Sequence, residues 1–181
     1  MIEKVVEIVK KLENVKDIKE PNIEKNSEKK ETTEISEKKR ETNNEIITRN
    51  SGLEGERHPE TGVKFTRKEV ETEDGIKEGV FPEFPEITHI DLPEDLYKES
   101  DRKQFDYCST ELKAQVESNP ELKSKFTSEQ LEQIKEGETP DGYTWHHSEE
   151  KGRMELVDSE IHGKTGHTGG RNIWGGGTEN R

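Results

Sequence analysis

The chain has a single cysteine, Cys108, so it can form no disulfide with itself. A lone cysteine is more often a small buried side chain than a nucleophile, and no histidine lies close to Cys108 in sequence to activate it. Apolar residues are also scarce. The composition is 24% hydrophobic and 6% aromatic against 39% charged, with a mean hydropathy of -1.23. A chain folded throughout would carry nearly twice that apolar share, so a sizeable part is expected to stay unfolded or loosely structured. No run of about 18 apolar residues exists, which excludes a membrane-spanning helix. The opening stretch MIEKVVEIVKKLENVKD interrupts its apolar residues with charges and so lacks a signal-peptide core.

An excess of basic residues is missing too. The net charge is -13, from 29 Lys and Arg against 42 Asp and Glu. Residues 1–50 hold 12 of each sign and are neutral, whereas residues 51–150 hold 12 basic and 26 acidic side chains. A tight nucleic-acid binder normally presents a basic face. The averages show none, which counts against nucleic acid as a tightly held partner but leaves room for a small basic site on an acidic body.

The organisation follows from the same patterns. Ile2, Val5, Val6, Ile8, Val9, Leu12 and Val15 recur at helical spacing and predict a short amphipathic helix that docks or self-associates. Residues 18–48 are polar, hold no aromatics and read as a linker. Residues 1–49 are therefore expected to be disordered and partly helical, and residues 50–181 to form the folded domain. Val63–Thr66 and Lys68–Glu71 predict a strand or strand pair, and Gly79–Phe84 an extended segment. Residues 94–137 read as helical. A helix is predicted over Thr110–Glu117, another starts at Pro120, and a third has a capping box at Thr127 and Gln130 and stops at Gly137. His58 and His89 read as ordinary surface residues.

Histidine is present in one place. Of six in the chain, four fall in GYTWHHSEEKGRMELVDSEIHGKTGHTGG, residues 142–170. Tyr143–His147 predicts a strand, Ser148–Gly152 a hairpin connection and Arg153–Val157 a second strand. Asp158 would cap a short helix from Ser159, loosened by Gly163 and Gly166 before His167. Neighbouring side chains on a strand diverge to opposite faces. The order strand, strand, helix can then gather His146, His162 and His167 around one metal ion, with positions left open as in a catalytic site. His147, pointing elsewhere, can serve as general base on water. The ion would stabilise charge on a phosphate oxygen and on the leaving oxygen. Imidazole ligands favour Zn, Ni, Mn or Co, with Mg a weaker fit. Two other readings stay open on spacing alone: an incidental histidine pair, and a structural zinc module, which would normally show a fourth protein ligand.

Trp145-His146-His147, Gly152-Arg153-Met154-Glu155-Leu156-Val157, Ile161-His162, Thr165-Gly166-His167-Thr168-Gly169-Gly170-Arg171 and Trp174-Gly175-Gly176 together resemble the WHH branch of the HNH/endonuclease VII nuclease superfamily. The resemblance is close from Gly142 onward and extends back to about Asn50, through GLEGERHPETGVKF, GVFPEFPE and LPEDLYKESDRKQF. It implies an α+β domain around a ββα-metal (His-Me finger) core at about residues 142–168. It also implies hydrolysis of phosphodiester bonds, with His146, His162 and His167 as metal ligands and His147 as general base. Glu155 stands where HNH proteins place Asn and where this branch usually has Gln, an amide that braces the general-base loop. An ionised carboxylate cannot donate those hydrogen bonds, so Glu155 either braces differently or lowers activity. Arg153, Lys164 and Arg171 are candidates for the scissile phosphate, or solvated surface charges. Trp145 and Trp174 would pack the core, and the glycine-rich tail would either approach phosphate or stay flexible.

Members of this branch are typically toxin domains of bacterial polymorphic toxin systems. The resemblance therefore implies a nucleic-acid substrate (DNA ahead of RNA), a cognate immunity protein and no membrane partner. It further implies a chain made in a bacterial cytoplasm, exported by contact or secretion, and active in the cytoplasm of a target cell. Two rivals remain: a catalytically inactive metal-binding interaction module, and an HNH nuclease that is not a toxin.

Overall fold

A computed structural model of the chain describes residues 44–180. The amphipathic helix expected near the start, and most of the expected linker, lie outside these residues.

Two small antiparallel sheets and a set of short helices make up an α+β domain. Strands β1 (Lys64–Thr72) and β2 (Gly75–Glu83) form a two-stranded hairpin. The sequence left open a strand pair over residues 63–71, but that stretch is one continuous strand whose partner is β2. Phe84 and Pro85 lead directly into β3 (Glu86–Asp91).

The helices follow. Helix α1 (Asp101–Ser118) is capped by Ser100, which accepts from the Lys103 N–H, and lies within the stretch 94–137 that reads as helical. Its first half buries Gln104 and Ser109 beside Cys108, so an apolar stripe does not mark that face. Helix α2 (Pro120–Lys123) has Pro at its first turn and Asn119 as its cap. Helix α3 (Ser128–Glu136) carries the reciprocal Thr127–Gln130 capping box and stops at Gly137, which adopts φ 82°. Glycine holds that left-handed conformation without the Cβ penalty other side chains incur.

Strands β4 (Tyr143–His147) and β5 (Arg153–Asp158) pair as a hairpin, and β3 pairs on the other side of β5, giving the order β3-β5-β4. Helix α4 (Ser159–Lys164) starts where Asp158 accepts from the Glu160 and Ile161 N–H groups at 2.9 and 2.8 Å. Helix α5 (Gly170–Ile173) follows a short loop.

The three-stranded sheet divides the interior. One face packs Ile90, Trp145, Met154 and Leu156 against Cys108, Leu112 and Val116 of α1 and against Leu122, Phe126 and Ile134 beyond it. The other face holds a smaller cluster of Val63, Phe84 and Val157, with Ile161 packed on it. Cross-strand partners share a face, so the register His146↔Glu155 and His147↔Met154 assigns the two histidines to opposite sides.

Residues 44–49, which composition assigned to the linker, take part in the fold. The Ile46 N–H donates to the Glu78 carbonyl at 2.7 Å, and the Glu78 N–H donates to the Asn44 carbonyl at 2.8 Å. Buried Thr48 donates from Oγ1 to the Val80 carbonyl at 2.6 Å. Arg67 on β1 gathers the carboxylates of Glu45 and Glu54 at 3.0 and 2.8 Å and that of Glu78 at 3.6 Å. Backbone pairing and one arginine hold the run, and its Ile47 stays exposed.

Candidate metal centre

His146 leaves β4 on the side of the smaller cluster and is 3% exposed. His162 comes from α4, and His167 from the loop after it. Their ligand nitrogens all lie within 4.8 Å of one another. His146 Nδ1 is 3.2 Å from His162 Nε2. His167 Nδ1 is 2.7 Å from the Thr165 carbonyl, which can only accept. Nδ1 therefore carries the proton and Nε2 carries the lone pair. A histidine whose second nitrogen is fixed in this way is oriented for ligation.

Phe84 touches all three rings, with centroids at 4.8, 5.3 and 5.1 Å from those of His146, His162 and His167. This apolar wall has an electrostatic consequence. Burial, reinforced by the neighbouring imidazoles His167 and His162, holds the His146 pKa well below its ordinary range. Burial, and then His167, lowers His162 to about 4. Burial lowers His167 as well, against the Thr165 hydrogen bond. All three are neutral at pH 7, the form that binds a metal. Three neutral imidazoles with converging nitrogens fit a borderline transition ion.

Around the triad stand charges that the sequence did not single out. Lys68 of β1 pairs with Glu149 of the β4–β5 connection, whose side chain is 4% exposed. Burial pulls the Lys68 ammonium down, but the hydrogen bond and charge of Glu149 outweigh it and hold the pKa above the ordinary value. The Arg49 N–H donates to Thr168 Oγ1 at 3.0 Å, and the Asn50 side chain donates to the Gly166 carbonyl. Glycine is required at 170 by close approach, since a Cβ there would lie 1.8 Å from the Ser148 carbonyl oxygen. The glycines of this tail serve to seat its backbone against the hairpin, a role outside the two expected for them.

Glu155 sits opposite His146 on one side and His89 on the other. Burial raises its pKa; the Arg153 hydrogen bond opposes this, and the charges of Glu86 and Glu149 add to the rise. Arg153 Nε donates to Glu155 at 3.0 Å, and Arg153 Nη2 reaches both Glu86 oxygens at 2.9 Å and His89 Nδ1 at 3.1 Å. His89, expected at the surface, is thus half-exposed at the border of this cluster. Lys164 is exposed and paired with Glu160 at 2.7 Å.

His147 faces the larger core, between Phe105 and Trp174. Its Nε2 is 2.7 Å from Gln104 Oε1. The Gln104 amide donates its protons to the Leu96 and Tyr97 carbonyls at 2.7 and 2.9 Å, so Oε1 is an acceptor. His147 is therefore the donor through Nε2, and its lone pair is on Nδ1. Arg171, expected at a phosphate, is placed in this same buried network. It donates from Nη1 to Gln104 Oε1 and to the Glu99 carbonyl, both at 3.0 Å, and its Nε lies 3.1 Å from Asp101. Trp145 and Trp174 are buried as expected, and the Trp174 indole donates to the Ser148 carbonyl at 2.9 Å. Burial, and then Glu111, pushes the Cys108 thiol up to about 12, which removes it as a nucleophile.

The structure thus unites His146, His162 and His167, seats Glu155 and Arg153 on the same sheet face, and sets His147 and Arg171 together on the other. Sequence reasoning missed Phe84, Arg49, Lys68, Glu149 and Gln104. Phe84, an aromatic between two prolines in an acidic stretch, gave some signal. Arg49 closed a run that looked like linker, and Gln104 gave none.

Residues 71–169 match the family model of the DNase/tRNase domain of colicin-like bacteriocins. No curated protein and no solved structure matches the chain.

Proposed function

The chain belongs to the family of DNase/tRNase domains of colicin-like bacteriocins, and from that membership we propose that it is a metal-dependent endonuclease of the HNH type, WHH branch, acting as a bacterial toxin. The observation that carries this reading is the triad His146, His162 and His167, whose ligand nitrogens converge within 4.8 Å inside the matched residues. The hairpin β4–β5 followed by α4 supports a ββα-metal core.

A divalent ion on three neutral imidazoles would supply Lewis-acid stabilisation of charge on the phosphate and the leaving oxygen. Zn, Ni and Mn suit the donor set best, ahead of Mg. His147 takes the proton of the attacking water through Nδ1, while Gln104 holds Nε2–H and so fixes the tautomer. Arg171 and Asp101 hold this assembly from behind. Glu155, with its raised pKa, spends more of its time protonated than an exposed carboxyl does. In that form it donates a hydrogen bond as the branch's usual Gln would. Arg153 fixes its orientation. Lys164 is a secondary phosphate contact, because its exposed pair with Glu160 costs little to break.

The substrate is nucleic acid, DNA ahead of RNA. The acidic body binds it weakly, so turnover depends on the local site. A cognate immunity protein neutralises the toxin in the producing cell, and the toxin acts in the cytoplasm of a bacterial target. Among the described residues no helix is long and apolar enough to cross a membrane.

The test is cleavage of plasmid DNA and total RNA by the full chain with Zn, Ni, Mn or Mg, an EDTA control and a His147→Ala variant. Cutting that needs metal and that His147→Ala loses by at least about a hundredfold, with metal binding intact, is the expected result. A chain that binds metal and cuts neither substrate is an interaction module, and the enzyme reading falls.

A further inference from the structure

His146 and His162 stand on β4 and α4, whose own hydrogen bonds hold the backbone beneath them. His167 does not. It lies in the loop between α4 and α5, outside any helix or strand. Three imidazoles take up one ion tightly only if their nitrogens are already aimed, so the ring of His167 needs support from elsewhere. Gly166 and Thr168, on its two sides, are tied down by the Asn50 side chain and the Arg49 N–H. Those bonds hold the loop backbone. The ring itself is held from Thr165, whose carbonyl accepts the His167 Nδ1 proton at 2.7 Å.

Thr165 is 1% exposed and ends α4, with its N–H still donating to the Ile161 carbonyl at 3.0 Å. Its hydroxyl meets the hydroxyl of Thr61 at 2.6 Å, across a sequence separation of 104 residues. Thr61 is presented by the turn His58-Pro-Glu-Thr-Gly62 ahead of β1. That turn is braced from within. The His58 N–H donates to the Val63 carbonyl at 2.7 Å, the Gly62 N–H to the His58 carbonyl at 2.8 Å, and the Thr61 N–H to His58 Nδ1 at 3.3 Å. It also meets α4 on both sides of Thr61. Glu60 pairs with Lys164 at 3.8 Å, and Val63 belongs to the small cluster on which Ile161 packs. The exposed ion pair adds little. The hydroxyl pair is different, because a buried hydroxyl that loses its partner must shift to find another. A shift of Thr165 carries its carbonyl away from His167.

We propose that Thr61 is a positioning residue for the metal centre: its hydroxyl fixes Thr165, and the Thr165 carbonyl in turn fixes the imidazole of His167. This rests on the metal centre of the nuclease reading, and not on cleavage itself. Thr61 touches neither ion nor substrate. It gives the turn at residues 58–62 a role in the site, carried by the threonine rather than by the histidine.

The test reads zinc affinity by calorimetry at pH 7, with melting in EDTA as a separate measure of the fold. Full chains of wild type, Thr61→Val, Thr61→Ser, His167→Ala and the double variant Thr61→Val/His167→Ala are compared. Thr61→Val is expected to weaken zinc binding by about tenfold. Thr61→Ser, which keeps the hydroxyl, should stay within about twofold of wild type. In the His167→Ala background the loss of the Thr61 hydroxyl should change zinc affinity no further, since the ring through which it acts is gone. Wild-type zinc affinity in Thr61→Val would overturn the assignment. So would an equal loss with and without His167, because Thr61 would then be supporting the domain at large. Should Thr61→Val not fold, Thr165→Val removes the same bond from its other end and is read in the same way. Absence of cleavage by a wild type that binds zinc would remove the nuclease reading and leave Thr61 in its role. A wild type that takes up no zinc would overturn both.

Discussion

Glu155 shows how one side chain can be read in sequence and resolved only by its surroundings. As a letter it is a carboxylate where an amide is expected. In the fold its side chain is 15% exposed, between Arg153 and the carboxylate of Glu86, and its pKa is raised chiefly by burial. A raised carboxyl pKa means that the folded chain holds the proton more tightly than the unfolded one. Stability from this group is then present at low pH and lost as pH rises through the shifted value. Glu155→Gln is expected to raise the melting temperature at pH 7 by a few degrees and to leave cleavage unchanged or faster. Arg153 would keep both Glu86 oxygens in that variant. A melting temperature lowered by the substitution would mean that the Arg153–Glu155 pair outweighs burial.

At the scale of elements, the hairpin β4–β5 and helix α4 were legible because their signals are local. Tyr143–His147 alternates, Gly152 ends the connection, and Asp158 caps the helix it precedes. The capping box of α3 was legible for the same reason. The start of α1 was not singled out, although residues 94–137 as a whole read as helical, because its buried face carries Gln104 and Ser109, whose polarity breaks the apolar period. Nor was the strap 44–49, which the Ile46, Thr48 and Glu78 hydrogen bonds hold to β2. A buried hydrogen bond of this kind contributes about 1 kcal/mol. Thr48→Val should therefore lower stability by about that amount in urea titration. A chain lacking residues 1–50 should fall further, since it loses every one of these bonds. If the shortened chain matches the full one in stability, the strap is ornamental.

For the molecule as a whole, the charge and the histidines set the dependence on conditions. In the unfolded chain the three ligand imidazoles protonate near 6.5, whereas the metal-free fold holds them lower, His162 at about 4. Between those values the unfolded state binds protons that the folded state refuses. Stability therefore falls as pH drops below about 6.5, by up to about 1.4 kcal/mol per pH unit for each group. Glu155 works in the other direction and offsets part of this. Melting curves in EDTA should show a steep loss from pH 7 to pH 5, flattened in His162→Gln. Added Zn or Ni should raise the curve at pH 7 and help less at pH 5, where protons compete for the same nitrogens. What the sequence determined by itself was whatever depends on neighbours along the chain: the acidic, cysteine-poor composition, the caps and turns, and four histidines on a strand–strand–helix order. The tertiary structure decided what depends on distant residues meeting. It set Phe84 against all three imidazoles, fastened the Arg49 backbone to Thr168 beside His167, and buried Arg171 in the network of Gln104 and Asp101. Burial and charge pairing are properties of neighbours in space, and a single sequence does not record which neighbours those will be.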